Sequence, residues 1–230
     1  MPRPFDRTLT ALTAIAALLL SACVESGGVR MAGTSTSVGT SIGGTALLAD
    51  GSPAAGAKVT ARSDEMDYRN GKPEGLLLDS AVADHRGVFA FPTLKERDFF
   101  LEIECDPARA CPNARTPEVF LREFRVEGKE SLGTLRTQVP GGFRGTLNDT
   151  SGSLDSTLWL GIPGTAHFAR WEDANDPGRP HLKTFRLDGL YPGRYVLSVV
   201  APSDTGNPAA RKTGSFPVIS GSITDIGFDP

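Results

Sequence analysis

From Ile42 onward the chain is a succession of short apolar runs with a two-residue period, cut repeatedly by Gly, Pro, Asn and Asp. No segment keeps the i, i+3, i+4 apolar spacing of a capped helix. Strands are what remains, and turn signals at this spacing suit an all-β sandwich. The runs are IGGTALL, GAKVTAR, GLLLDSAVA, VFAFP, DFFLEIE, EVFLREFRV and LGTLRT, followed by GGFRGTLND, STLWLGI, LKTFRLD, GRYVLSVVA, GSFPVIS and SITDIGF. The stretch SDEMDYRNGKPE, residues 63–74, reads as a long polar loop, with a short helix over Ser63–Tyr68 left open.

The second set of runs repeats the plan of the first. At an offset of 96, Phe89 matches Phe185, Leu94 matches Leu190 and Leu101 matches Leu197, while Phe91/Leu187, Phe99/Tyr195 and Ile103/Val199 keep their class. Phase strengthens the match: Phe99, Leu101 and Ile103 alternate, as do Tyr195, Leu197 and Val199, so each trio falls on one strand face. GTALLADG also aligns with GTLNDTSG. We therefore expect two tandem units, residues 42–138 and 139–230. TFRLDGLYPGRYVLSV is expected to be a strand, a Pro-Gly turn and a strand, forming a sandwich hairpin.

The first residues carry Arg3 and Arg7, an apolar run from Ala11 to Leu20, and then small residues. That is the layout of a secretory signal, and the run is shorter than the roughly 20 residues a membrane-spanning helix needs. Leu20-Ser21-Ala22-Cys23 resembles the lipobox of bacterial lipoproteins. The resemblance implies cleavage after residue 22, diacylglycerol on Cys23 and acylation of its new amino terminus. Several acyl chains at roughly 0.8 kcal/mol per methylene give lasting attachment without a span. Val24 stands where Asp would favour inner-membrane retention in many such lipoproteins, which implies the outer membrane. Residues 23–41, rich in Gly, Ser and Thr, are expected to form a flexible tether whose r.m.s. reach is roughly 20–25 Å.

Loss of Arg3, Asp6 and Arg7 with the signal takes the net charge from −3 to −4. An acidic body with no Lys/Arg run disfavours nucleic acid as a partner. Besides Cys23 the chain has only Cys105 and Cys111, in CDPARAC. An oxidising compartment favours their pairing, with two free thiols as the alternative, and no neighbouring His or third Cys supports zinc.

Gly51, Pro53, Gly56, Ala57 and Val59, followed by Asp84, Gly87, Phe89, Phe91 and Leu94, resemble the carboxypeptidase regulatory-like domain. Arg97 and Phe99 depart from its Gly and Tyr. The second unit keeps those two as Gly193 and Tyr195 but lacks the Gly-x-Pro turn. The resemblance implies a Greek-key, prealbumin-like sandwich of about seven strands in each unit, acting as a support or recognition module without catalytic residues. The related pilin-type sandwiches form Lys-to-Asn cross-links, but IGGTALL and FRGTLND lack the first-strand Lys this requires.

Candidate chemistry is sparse. His85, His167 and His181 are scattered, and none has a metal set around it. Asp84-His85-Arg86 falls in a turn, and Glu102 with Glu104 reads as a solvated strand face. No Gly-x-Ser-x-Gly or phosphate-cradling loop is present. We expect no catalytic residue, metal or cofactor; a hydrolase would need a cleft that gathers distant residues.

Trp159 reads as core. Trp171 stands beside a polar loop, and an exposed indole flanked by Glu172, Asp173 and Asn175, with His181 or Tyr191 near, would suit a sugar face. The expectation is thus a lipid-anchored, non-catalytic envelope protein with structural or protein-interaction sandwiches, and the alternative is a glycan-binding surface around Trp171.

Overall fold

The structure, a computed structural model, describes residues 41–69, 71–94, 98–125, 131–149, 158–174, 177–178, 180–200 and 210–227. These residues form strands and turns only. The first seven strands are β1 (Ile42–Leu47), β2 (Lys58–Arg69), β3 (Lys72–Val82), β4 (Val88–Phe91), β5 (Phe99–Cys105), β6 (Glu118–Phe124) and β7 (Ser131–Arg136). Eight follow: β8 (Gly141–Asn148), β9 (Trp159–Gly161), β10 (Phe168–Arg170), β11 (Glu172–Asp173), β12 (Leu182–Leu190), β13 (Gly193–Val200), β14 (Ala210–Val218) and β15 (Ile223–Gly227).

They assemble into four sheets, ordered β4-β1-β7, β3-β2-β5-β6, β11-β12-β8-β15 and β10-β9-β13-β14. The strand order of the second pair of sheets repeats that of the first, with β11 added at one edge. β1 runs antiparallel to β4 and parallel to β7, and β8 runs antiparallel to β12 and parallel to β15. Even the contact on the first strand recurs. Gly44 is the cross-strand partner of Phe89, and Gly145 that of Phe185. A Cβ on either Gly would meet the partner's ring, at 3.1 Å and 2.2 Å respectively. In both places the absent side chain is what lets an aromatic ring lie flat over the strand.

Two cores follow from the alternation. Phe89, Phe91, Leu94, Phe99, Leu101 and Ile103 belong to the first, and Phe143, Leu160, Phe185, Leu187, Leu190 and Leu197 to the second. Each such side chain fully removed from water contributes roughly 1.5–3 kcal/mol, so the alternation suffices to select the inward face. Asp84-His85-Arg86-Gly87 is a turn: the Asp84 carboxylate accepts the amides of Arg86 and Val88, both at 2.8 Å, and Gly87 has φ +78°.

Two expectations are corrected. Residues 63–74 are neither a loop nor a helix, for β2 and β3 continue through them as a long antiparallel arm that turns at Gly71. And β12–β13, like β4–β5, is not a hairpin. β12 hydrogen-bonds to β8 and β11 while β13 bonds to β9 and β14, so the chain arches from one sheet to the facing one. A hairpin and an arch share the same alternation; only which strands pair tells them apart.

Candidate functional site

Trp171 is buried, 5% exposed, and packs edge-on against Phe185 at 4.9 Å within the second core. The expected exposed indole is therefore corrected. Glu172 and Asp173 pair with Thr184 and Lys183 as a two-residue edge strand. Both acids face solvent, and the Asp173 carboxylate takes the Lys183 ammonium at 2.5 Å. The polar flank marks a sheet edge, and alternation across it turns the indole inward. His181 is exposed, and its backbone carbonyl accepts the Asp149 amide at 2.8 Å. Asn175 lies outside the described residues, as does Cys23.

Tyr191 is half-buried and belongs to a different place. Its ring packs on Phe120 of β6 at 5.1 Å, and its hydroxyl accepts the Gln138 side-chain amide at 3.0 Å. The Tyr195 hydroxyl donates to the Tyr191 carbonyl at 2.7 Å, a tyrosine-corner bond that shapes the arch, and burial pushes this phenol's pKa well up. The segment between β7 and β8 is also held. Gln138 exchanges backbone bonds with Val119, and Thr137 donates its hydroxyl to Glu118 at 2.6 Å.

A denser polar cluster lies where the outer face of β2–β5 meets the β9–β10 loop. Glu102, expected on a wet face, is 4% exposed. One of its oxygens accepts the Ala166 amide at 2.8 Å and the other the Arg62 Nε at 3.3 Å. Arg62 also donates to Glu74 at 3.2 Å and to the Gly75 carbonyl at 2.9 Å. Glu104, two residues along the same face, is exposed and pairs loosely with Lys58. Burial pushes the Glu102 carboxyl up, against the pull of the Ala166 amide and Arg62. Nearby, Gly75 donates to the Thr165 carbonyl at 2.8 Å and the Lys72 ammonium to that of Ala166 at 3.0 Å. Gly164 has φ +81°, and a Cβ there would run into the Phe100 ring at 2.2 Å.

His167, at the end of this loop, is half-buried, and burial lowers its pKa to about 4. His85 lies exposed in its turn, apart from this cluster. Among the described residues no three His, Cys, Asp or Glu side chains converge as a metal set. A cleft of about 180 Å³ is lined by Pro140, Gly141, Asp188, Gly189, Gly221 and Ile223, and the Asp188 carboxylate in it accepts from Arg186 Nε at 2.7 Å.

Cys105 and Cys111 are joined in a disulfide, with Cα atoms 5.3 Å apart. It pins residues 105–111 under the first core's end, where Ala110 rests against Gly56. Arg62, Glu74, Lys72 and the β9–β10 loop were not singled out by sequence reasoning. The signal in the sequence that points to them is the Asn-Gly dipeptide at 70–71, a pair that favours a tight turn between two strands.

No protein-family model matches the chain, and no curated protein matches it. Among solved structures it is similar to the Bacillus anthracis TIE protein, with 12% identity and a TM-score of 0.30 over 81% of this chain and 33% of that one. It is also similar to the minor pilin of Streptococcus agalactiae, at 11% identity and a TM-score of 0.29 over 82% of this chain and 94% of that one. The shaft pilin of Lactobacillus rhamnosus GG gives 10% and 0.24 over 83% and 98%. The chain thus spans about a third of the first of these proteins. These are likenesses of β-rich chains and say nothing of a shared activity.

Proposed function

We propose that this chain is a non-catalytic envelope lipoprotein, anchored through lipid on Cys23, in which residues 42–138 and 139–230 are two carboxypeptidase regulatory-like sandwiches serving as a structural or protein-interaction module. The observation that carries the reading is where the chemistry-bearing side chains go. Glu102 has both oxygens engaged by Arg62 and Ala166, Trp171 is packed in a core, and Tyr191 is stacked against Phe120. Each of these groups holds one part of the fold to another. The repeated strand order and the matching Gly44/Phe89 and Gly145/Phe185 contacts support the reading of two like units. The lipobox residues and Val24 support attachment to the outer membrane.

Membrane fractionation tests the anchor. Cys23→Ala should move the protein from the membrane to the soluble envelope fraction, since the acyl chains on Cys23 are what the reading places in the bilayer. Persistence of the variant in the membrane fraction would refute the anchoring. Chemical cross-linking of the lipidated protein in intact envelopes should return discrete protein adducts; none would leave the spacer role alone.

A further inference from the structure

The outer face of β9, β10 and β13 does not look like a surface meant for water. Trp159, Phe168 and Val200 share that face, all three are buried, and Ser198 beside them is buried too. What covers them comes from the first set of strands. Met66 and Tyr68, on the far half of the β2–β3 arm, pack on Trp159, Phe168 and Val200 as a third apolar cluster. The arm is then stitched down along its length. Gly75 bonds to Thr165, Lys72 to Ala166, and Arg62 at its root shares Glu102 with the Ala166 amide.

Gly75 and Gly164 approach so closely that a Cβ on Gly75 would lie 2.6 Å from the Gly164 carbonyl carbon, so both positions exclude side chains. On the other flank Tyr191 packs on Phe120 and its hydroxyl accepts the Gln138 side-chain amide. Contacts on both flanks and a dry patch between them differ from the sparse, polar interface expected of two independent modules on a linker.

We infer that the β2–β3 arm is a strap that makes the two sets of sheets one cooperative folding unit, and that the outer face of β9–β10–β13 is the docking face the strap exists to cover. The second set of sheets then cannot be soluble with the strap lifted, because Trp159, Phe168 and Val200 would form a contiguous exposed apolar patch. The strap also fixes the direction in which the second set projects. This inference does not depend on lipid at Cys23, so fractionation and the test below can fail separately.

The test uses the full chain in detergent. Wild-type protein should melt in a single calorimetric transition whose enthalpy equals the van't Hoff value; two resolved transitions would overturn the inference. Met66→Asp places a charge under the strap and should split the melt into two transitions separated by on the order of 5–10 °C. The chain has two Trp residues, so in a Trp171→Phe background Trp159 alone reports on the docking face, and its emission should shift to the red in Met66→Asp. A single transition with unshifted emission would overturn the strap. Should Met66→Asp lose its β signal altogether, Met66→Ala is judged by the same two criteria.

Discussion

Gly56 adopts φ +79°, and an added methyl group there would sit 1.9 Å from the Ala110 carbonyl oxygen. Gly71 has a similar φ, +71°, but nothing within 4 Å. The two positions separate conformational strain from collision. Gly71→Ala should cost about 1 kcal/mol, the price of a left-handed backbone for a side chain, whereas Gly56→Ala should cost roughly 3 kcal/mol or more because the Cys105–Cys111 loop must also move. Urea denaturation of the two variants measures both, and equal costs would mean the loop does not rest on Gly56. Gly56 was legible in the sequence as part of the x-Gly-Ala-x-Val pattern, but its reason was not. The carbonyl it accommodates is more than fifty residues away. Trp171 failed to read for a similar cause: polar neighbours in sequence looked like a sugar site, and strand pairing turned the ring toward Phe185.

At the scale of elements, the β9–β10 loop carries a pH dependence. The His167 imidazole is near 4 in the folded protein and near 6.5 when unfolded. The unfolded chain therefore takes up the proton first, and stability that is complete above about pH 6.5 is lost as pH falls toward 4. By linkage the loss reaches at most about 3 kcal/mol, reduced by the ring's partial exposure. Glu102, across the junction, acts in the opposite sense. Its raised pKa means the folded state takes up that proton more readily, so its burial penalty shrinks as pH falls. His167→Gln should thus remove the acid loss between pH 6.5 and 4 and leave the rise from Glu102. Denaturant midpoints across that range check it; an unchanged acid slope would place its origin elsewhere. The strap was the element most poorly foreseen. SDEMDYRNGKPE is polar because one side of an arm that leaves its own core is wet, while Met66, Tyr68 and Lys72 reach the second set of strands and its β9–β10 loop.

For the molecule as a whole, the Arg62–Glu102 pair lies where the two sets of sheets meet. Removing one member leaves the other buried without full compensation, so Glu102→Ala should destabilise the whole unit by about 3 kcal/mol, in place of loosening one half alone. Hydrogen exchange should report faster exchange at both Gly75 and Ala166, whose amides donate across the junction to the Thr165 carbonyl and the Glu102 carboxylate respectively; a change confined to one side would contradict the coupling. Strand content, the inward-facing residues Phe89, Leu101, Phe185 and Leu197 and the Cys105–Cys111 pairing were readable along the chain, because alternation and turn chemistry are local and cysteine counting needs no geometry. Tertiary structure alone decided which strands pair, that Trp171 faces a core, and that Glu102 is dry. Those outcomes depend on what a second segment, tens of residues away, brings against the first, and a side chain's period along its own strand carries no record of that partner.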